Sequence, residues 1–459
     1  MHRLPEHLSC DVVIIGGGLA GLCAARVLAA AGVDVRVLEA QDRVGGRTLT
    51  ERCQDGGFID HGGQWVSPGQ DRIVALADEL GLRLFPTWDR GLAIDWRDGV
   101  RCTYSGPFPP ADMSAAPELR QAAAMLTAMA AHVPLDAPWT APQAGTWDQH
   151  TLDEWLTSHV HSPGARRILA RSIQGVFADG PGKTSLLAAL FWIRSGDPLV
   201  PFLSNVDPEP ERRFIGGAQQ LSERIARALG DRVILGAIAS QVTYNQEGVH
   251  ISASNLTVSA RRAIIALPPP IAGRLRYTPA LPAARDQLTQ RTPMGWLIKV
   301  HAAYPTRFWA EDGLSGQVTS DEGAVKVCAD NSPPSGSPGI LVGFIEGAEA
   351  RRLAVVSPEE RRVAMLDDLV KYFGAKASRP DAYYEKNWGD DEFTRGAEGG
   401  YWTQGIWTTY GYTLRTAIGP LHWAGTETSA IWNGKMEGAV RSGERAAAEV
   451  LASLRDRTA

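Results

Sequence analysis

Little in this sequence is set aside for disulfides, metals or membranes. The five cysteines, Cys10, Cys23, Cys53, Cys102 and Cys328, are odd in number, widely scattered and free of any CxxC pair. That spacing excludes a disulfide framework and offers no thiolate set for a metal, so no metal site is expected and a reducing compartment fits best. Long apolar runs are missing too. The first candidate, VVIIGGGLAGLCAARVLAAAGV, is cut by glycines, and the opening MHRLPEHLSC lacks the apolar stretch of a secretion signal. The expectation is a cytoplasmic protein that does not enter a membrane. Neither sign of charge is in excess: 46 basic residues face 51 acidic ones, a formal net charge of -5. Such a balance gives nucleic acid and anionic membrane no reason to bind. There is no internal repeat, and no low-complexity tract beyond the alanine-rich stretch from 121 to 145.

What is present is a chain of 459 residues, 44% of them hydrophobic, long enough for two domains. Both ends carry strands that feed glycines and then alanine-rich helices, whereas the middle is rich in proline and tryptophan. The pattern implies a discontinuous α/β domain with a parallel sheet, built from 1–80, 215–290 and 381–459. A mixed-sheet α+β substrate domain would take 81–214 and 291–380, with the active site between the two. DVVII reads as a strand, LAGLCAARVLAAAG as a helix stopped by Gly32, and DVRVLEA as the next strand. Among the aromatic residues of the middle, Phe191, Trp192 and Phe202 are candidates for a pocket wall.

The first glycines carry chemistry. Gly16, Gly18 and Gly21 have the G-x-G-x-x-G spacing directly between a strand and a helix. There they supply a tight turn, room for a pyrophosphate against backbone N–H groups, and close packing of helix on strand. The helix N-terminus suits a diphosphate. Glu39, 18 residues beyond Gly21, ends the second strand, where its carboxylate can accept hydrogen bonds from a ribose. The continuation RVGGRTLT places Arg43 and Arg47 around Gly45 and Gly46. A second pair of cations on the same diphosphate favours FAD over a nicotinamide dinucleotide.

Taken in order, DVVIIGGGLAGL, RVGGRT, DHGGQWVSP, ALPPP, TPMGWLIK and AGTETSAIWNGKMEGAVRSGERAA resemble the flavin-containing amine oxidases, the family of monoamine, putrescine and polyamine oxidases. GGQWVSP is most similar to the bacterial members. The resemblance implies that Gly63, Gln64 and Trp65 run along the flavin ring, that Trp388 flanks it, and that Glu427 lies near the ribityl and diphosphate. It also implies that the backbone of Ala239 holds the adenine. A C-terminal helix beginning near Met436 would aim its N–H groups at the pyrimidine edge of the flavin, with Gly434 and Gly438 allowing close approach. Lys299 matches the family lysine that holds a water near the reactive flavin nitrogen, and burial would lower its pKa.

Two positions depart from the family pattern. Some members attach FAD through a cysteine just after a Gly-Gly pair; here that residue is Tyr401, so FAD is expected to be noncovalent. Monoamine oxidases face the substrate amine with two aromatic rings, and here Trp402 matches one while Lys435 stands at the other. A lysine opposite an ammonium is unfavourable in a low-dielectric pocket. Either Lys435 is neutral, or it turns aside, or it meets an acidic or carbonyl group of the substrate. The expected activity is oxidation of an amine to an imine and then a carbonyl, with O2 reduced to hydrogen peroxide. The alternatives are an L-amino-acid oxidase and a flavin amine dehydrogenase with another acceptor; a carbon–carbon desaturase and a non-catalytic flavin-binding protein fit the motifs less well. The expected partners are a small-molecule amine and O2, and a homodimer is compatible with the sequence without being required by it.

Overall fold

The computed structural model describes residues 6–53, 57–106, 108–196 and 211–455. Its first sheet is centred on β1 (Glu6–Ile15), which pairs in parallel with β2 (Val35–Leu38) on one side and with β3 (Leu256–Ile265) on the other. Val233–Ile234 extends the sheet in parallel beyond β2, and Leu421–Trp423 adds a parallel strand to β3. An antiparallel meander, Ala239–Tyr244 and Val249–Ala253, joins from the other direction. The run Val12, Val13, Ile14 and Ile15 is buried throughout because both faces of the sheet are covered. Val12 and Ile14 pack on the helical side, Val13 and Ile15 under the meander.

Helix α1 (Leu19–Ala30) crosses the first of these faces and carries no charged residue in its first or last turn. It is buried on several sides, which explains why its sequence is almost all alanine, leucine and glycine. Gly32, at φ +79°, releases the chain toward β2. Helix α2 (Met436–Arg455) lies against α1. A Cβ on Gly443 would sit 2.1 Å from the carbonyl oxygen of Ala20, so the two helix backbones touch there.

The second sheet has seven strands in the order Ala382–Asn387, β4 (Leu297–Tyr304), β5 (Gly339–Glu346), Val327–Asp330, Leu314–Ser320, Leu92–Arg97 and Val100–Tyr104. Along β4 side chains alternate. Ile298, Val300, Ala302 and Tyr304 join a core with Met365 and Leu369, whereas Leu297 and Ala303 belong to small clusters on the opposite face, the face of Lys299 and His301. The sequence reading returns the chain to the first domain at residue 381. The strand Ala382–Asn387 instead pairs with β4 and completes the second sheet, delivering Trp388 at its end. A third core is helical, drawn mostly from 108–192 and closed by Trp402 and Trp407.

Gly443→Val forces α1 and α2 apart. It is expected to cost about 1–3 kcal/mol, read as a lowered urea midpoint with an unchanged m-value.

Candidate functional site

The C-terminal ends of β1 and β2 and the inner face of β4 open onto one cavity of ≈560 Å3. At one end it meets Gly16, Gly18, Glu39 and Ala239; at the other, Gly63, Trp65, Lys299, Trp388, Gly434, Lys435 and Met436. Its length is set by local chemistry. The N-cap of α1 is Gly18, with no side chain capping the helix, so first-turn N–H groups beside Leu19 and Ala20 face the cavity. Gly16 adopts φ +107° and a Cβ there would meet Ala266 O at 2.7 Å, a conformation and a space that only glycine allows. The carboxylate of Glu39 accepts from the backbone N–H of Gly17 at 2.7 Å and of Gln41 at 2.8 Å, which fixes it at the end of β2. Burial nevertheless raises its pKa above the ordinary carboxylate value.

The middle of the cavity is organised by Arg47. Its guanidinium donates to both oxygens of Glu427, at 2.6 and 3.0 Å, and to the carbonyl of Glu398 at 2.7 Å. Glu427 also accepts from Gly400 N–H at 3.2 Å. It is fully buried, yet Arg47 and these hydrogen bonds hold its pKa below the usual value against the desolvation that pushes it up. Past Arg47 lies Lys299, 2% exposed, its ammonium donating to the carbonyl of Gly62 at 2.9 Å and to Gln64 Oε1 at 2.7 Å. Gln64 Nε2 donates onward to Asn331 Oδ1 at 2.8 Å. Loss of water lowers the lysine pKa to about 7; Asp60 and Glu398 oppose the shift and Arg213 adds to it. Its Nζ also lies 5.1 Å from the Trp65 ring centroid and 5.6 Å from that of Phe344.

These features test the fit of a flavin dinucleotide. A cavity with an uncapped helix start, a fixed carboxylate at one end and a buried lysine beside aromatic rings at the other suits FAD. The family model for flavin-containing amine oxidoreductases matches residues 19–451. The chain belongs to that family. It is 36% identical over 450 residues to flavin-containing amine oxidase B of Sus scrofa, which covers 97% of this chain and 86% of that protein. It is 33% identical over 457 residues to an L-amino acid dehydrogenase of Synechocystis sp., covering 97% and 96%. A structure of putrescine oxidase bound to putrescine, 36% identical, superposes with a TM-score of 0.92 over 97% of this chain and 100% of that one. The cofactor of this flavin amine oxidase is FAD, held noncovalently.

Most of the family positions named from the sequence border the cavity: Gly16, Gly18, Glu39, Gly46, Arg47, Gly63, Gln64, Trp65, Ala239, Lys299, Trp388, Lys435 and Met436. Gly21 does not; a Cβ there would strike Gly16 O at 2.0 Å, so it serves helix-on-strand packing. Arg43 corrects the expectation of a second clamp on the diphosphate. Its guanidinium is taken up by the carbonyls of Val44, Gly46 and Thr48, acceptors of its own turn that lie nearer than the cavity. Glu427 is paired with Arg47, which borders the cavity. Trp402 is a second correction: its indole is buried in the helical core, 4.6 Å from the Trp407 ring, and is not on the cavity wall. Phe191 and Trp192 belong to the same core, and Phe202 falls outside the described residues.

Sequence reasoning missed Arg171, Phe344, Glu346 and Glu398, all on the wall. Burial, then the charge of Glu398, raises Glu346 to about 8. Two signals pointed to them: an acid closing the apolar run GILVGFIE, and a glutamate beside the Gly399–Gly400 pair. The backbone of Glu398 has φ +58°, a conformation that non-glycine residues adopt at a cost and that clusters at functional sites.

Glu427→Ala leaves Arg47 without its buried partner. The apoprotein is expected to lose about 3–5 kcal/mol in urea unfolding, with Glu427→Gln losing less.

Proposed function

We propose that the substrate amine lies against the wall made by Trp65, Lys299, Phe344, Glu346, Glu398 and Lys435, and that O2 is the final electron acceptor. The observation that carries this reading is the buried Lys299, poised near neutrality between Gln64 and two aromatic rings. Bound FAD supplies the hydride acceptor for oxidation of the amine-bearing carbon. The chain's own residues do the rest. Apolar and aromatic side chains exclude water. Glu346 and Glu398 offer the amine end hydrogen-bond acceptors, and with Glu346 largely neutral the pair does not trap the substrate as a permanent ammonium. Lys299 can hold or release one proton at Nζ at neutral pH. The hydrolysed imine leaves as a carbonyl compound.

A second reading is favoured by Arg171 and Lys435, two cations on the same wall. Together with Glu346 and Glu398 they fit an amino acid, carboxylate toward the cations and amine toward the acids. The relative described as an L-amino acid dehydrogenase supports it and would replace O2 by another acceptor. The scattered cysteines, with no disulfide among the described residues, support a cytoplasmic location. Among the described residues no helix is long and apolar enough to cross a membrane.

Anaerobic flavin bleaching with a panel of monoamines, diamines and amino acids distinguishes the two readings. Lys299→Met is expected to keep FAD but slow flavin reduction or reoxidation about 10²-fold or more; unchanged half-reactions would remove the role. The same variant has a signature without cofactor. The folded pKa of about 7 lies below the lysine's ordinary 10.5, so the unfolded chain binds more protons between these values. Wild-type apoprotein should therefore gain stability relative to Lys299→Met as pH rises from 7 toward 10.5. Lys435→Tyr is expected to shift kcat/KM about tenfold toward simple arylalkylamines and away from carboxylate-bearing substrates.

A further inference from the structure

The wall behind Lys299 holds more polar atoms than hydrogen bonds. His301 is fully buried, and neither of its ring nitrogens has a hydrogen-bond partner among the described residues. His61, 4% exposed, has none at Nδ1; Asn331 Nδ2, Asp60 Oδ2 and Arg213 Nε and Nη2 are likewise unmatched. These groups form one cluster. The His61 and His301 rings meet edge to face with centroids 5.7 Å apart. Arg213 Nη2 lies 3.8 Å from Asp60 Oδ2, and Arg213 Nη1 donates to the carbonyl of Asn331 at 2.8 Å. Asn331 leads back through Gln64 to Lys299. On the other side, His61 Nε2 is 2.9 Å from Glu51 Oε2, and the Glu51 side chain is 52% exposed. Buried polar groups this numerous are ordinarily matched by ordered water making two to four hydrogen bonds.

We infer that water joins these groups and that His301 and His61 pass a proton between Lys299 and the exposed Glu51. The inference rests on the proposed placement of Lys299 at the reacting end of the cavity. The geometry follows from β4, where Lys299 and His301 are two residues apart and share a face. The His301 ring meets His61, which follows the strand Phe58–Asp60. A neutral imidazole has one donor and one acceptor nitrogen, so it can take a proton on one side and release one on the other. Burial, then Lys299, His61 and Arg213, keep His301 uncharged, while Tyr384 lies opposite it in the strand register. His61 is also lowered by burial and by Lys299, with Glu51 and Asp60 opposing.

The reaction has a use for such a path. Hydride removal from a neutral amine supplies two electrons and one proton; turning O2 into hydrogen peroxide takes two electrons and two protons. The second proton comes from solvent. With substrate or product filling the front of the cavity, the route through Glu51, His61 and His301 reaches Lys299 from behind.

His301→Phe and His61→Phe retain ring packing and remove proton transfer. In the holoenzyme each is expected to leave anaerobic flavin reduction within about twofold and to slow reoxidation by O2 by about tenfold or more. The loss should grow above pH 7, where Lys299 rests unprotonated, and should be relieved by added imidazole. A wild-type pH profile for reoxidation in both variants would overturn the relay. An atomic-resolution structure of the wild-type protein provides a readout independent of turnover. Water within hydrogen-bond distance of His61 Nδ1 and of a His301 nitrogen supports the path; a dry contact between the rings overturns it. If Lys299→Met leaves reoxidation unchanged while water is present, the failure lies in the role of Lys299 and not in the cluster.

Discussion

One buried amine ties the second sheet of this protein to the loop that lines the cavity opposite it. Lys299 is carried by β4 of the second sheet, but both of its hydrogen bonds go to residues 62 and 64, in the loop that follows the strand Phe58–Asp60. An amine can be kept in such a place only if its acceptors are fixed and its charge is negotiable. The acceptors are fixed because Gln64 is itself held by Asn331, and Trp388 donates to the carbonyl of His61 at 2.8 Å. The charge is negotiable because desolvation brings the pKa to about 7. Loss of either condition would leave the cavity with an unpaired cation or a mobile wall.

The dinucleotide end is built on a different logic, with backbone in place of charge. The diphosphate region is shaped by glycines that admit close approach and by a helix start without a capping side chain. Arg47 is paired with Glu427 before any ligand arrives, so the pair works as a brace whose geometry is set by a bidentate fork. Arg43 shows the same economy within one turn, spending its guanidinium on three carbonyls. The region is therefore held in shape by internal pairs and presents N–H groups, not bare cations, to the ligand.

Legibility in the sequence follows this division. The strand, the glycine turn, α1 and Glu39 lie within 35 residues and can be read from spacing alone, because a phosphate turn is a local structure. The start of α2 at Met436 is local in the same sense. The substrate end is not. Glu346 and Glu398 meet only because β5 and the strand Ala397–Gly400 converge on the cavity, and no spacing rule relates them. Trp402 shows the converse limit. Its place beside Gly400 matches a family position, yet the helical core, with Trp407 waiting 4.6 Å away, offers a large apolar ring more contact than a cavity wall shared with charged groups. The same competition explains Arg43: an adjacent carbonyl is a nearer partner than a ligand across the turn.

With Trp402 packed in the helical core and Lys435 on the cavity wall, the proposed placement of the substrate changes what the cavity would select. Two facing aromatic rings attract a cation through their quadrupoles and tolerate any substituent behind it. On that placement, a wall that carries Glu346 and Glu398 together with Arg171 and Lys435 would attract charges of both signs and discriminate by their separation within the substrate. A simple monoamine placed there would offer these cations nothing, whereas a substrate bearing a second, oppositely charged or carbonyl group would offer them a further acceptor. The raised pKa of Glu346 keeps this wall from becoming a fixed anion. With the substrate so placed, its acidic half would meet the amine, and its basic half would hold the rest of the molecule in place.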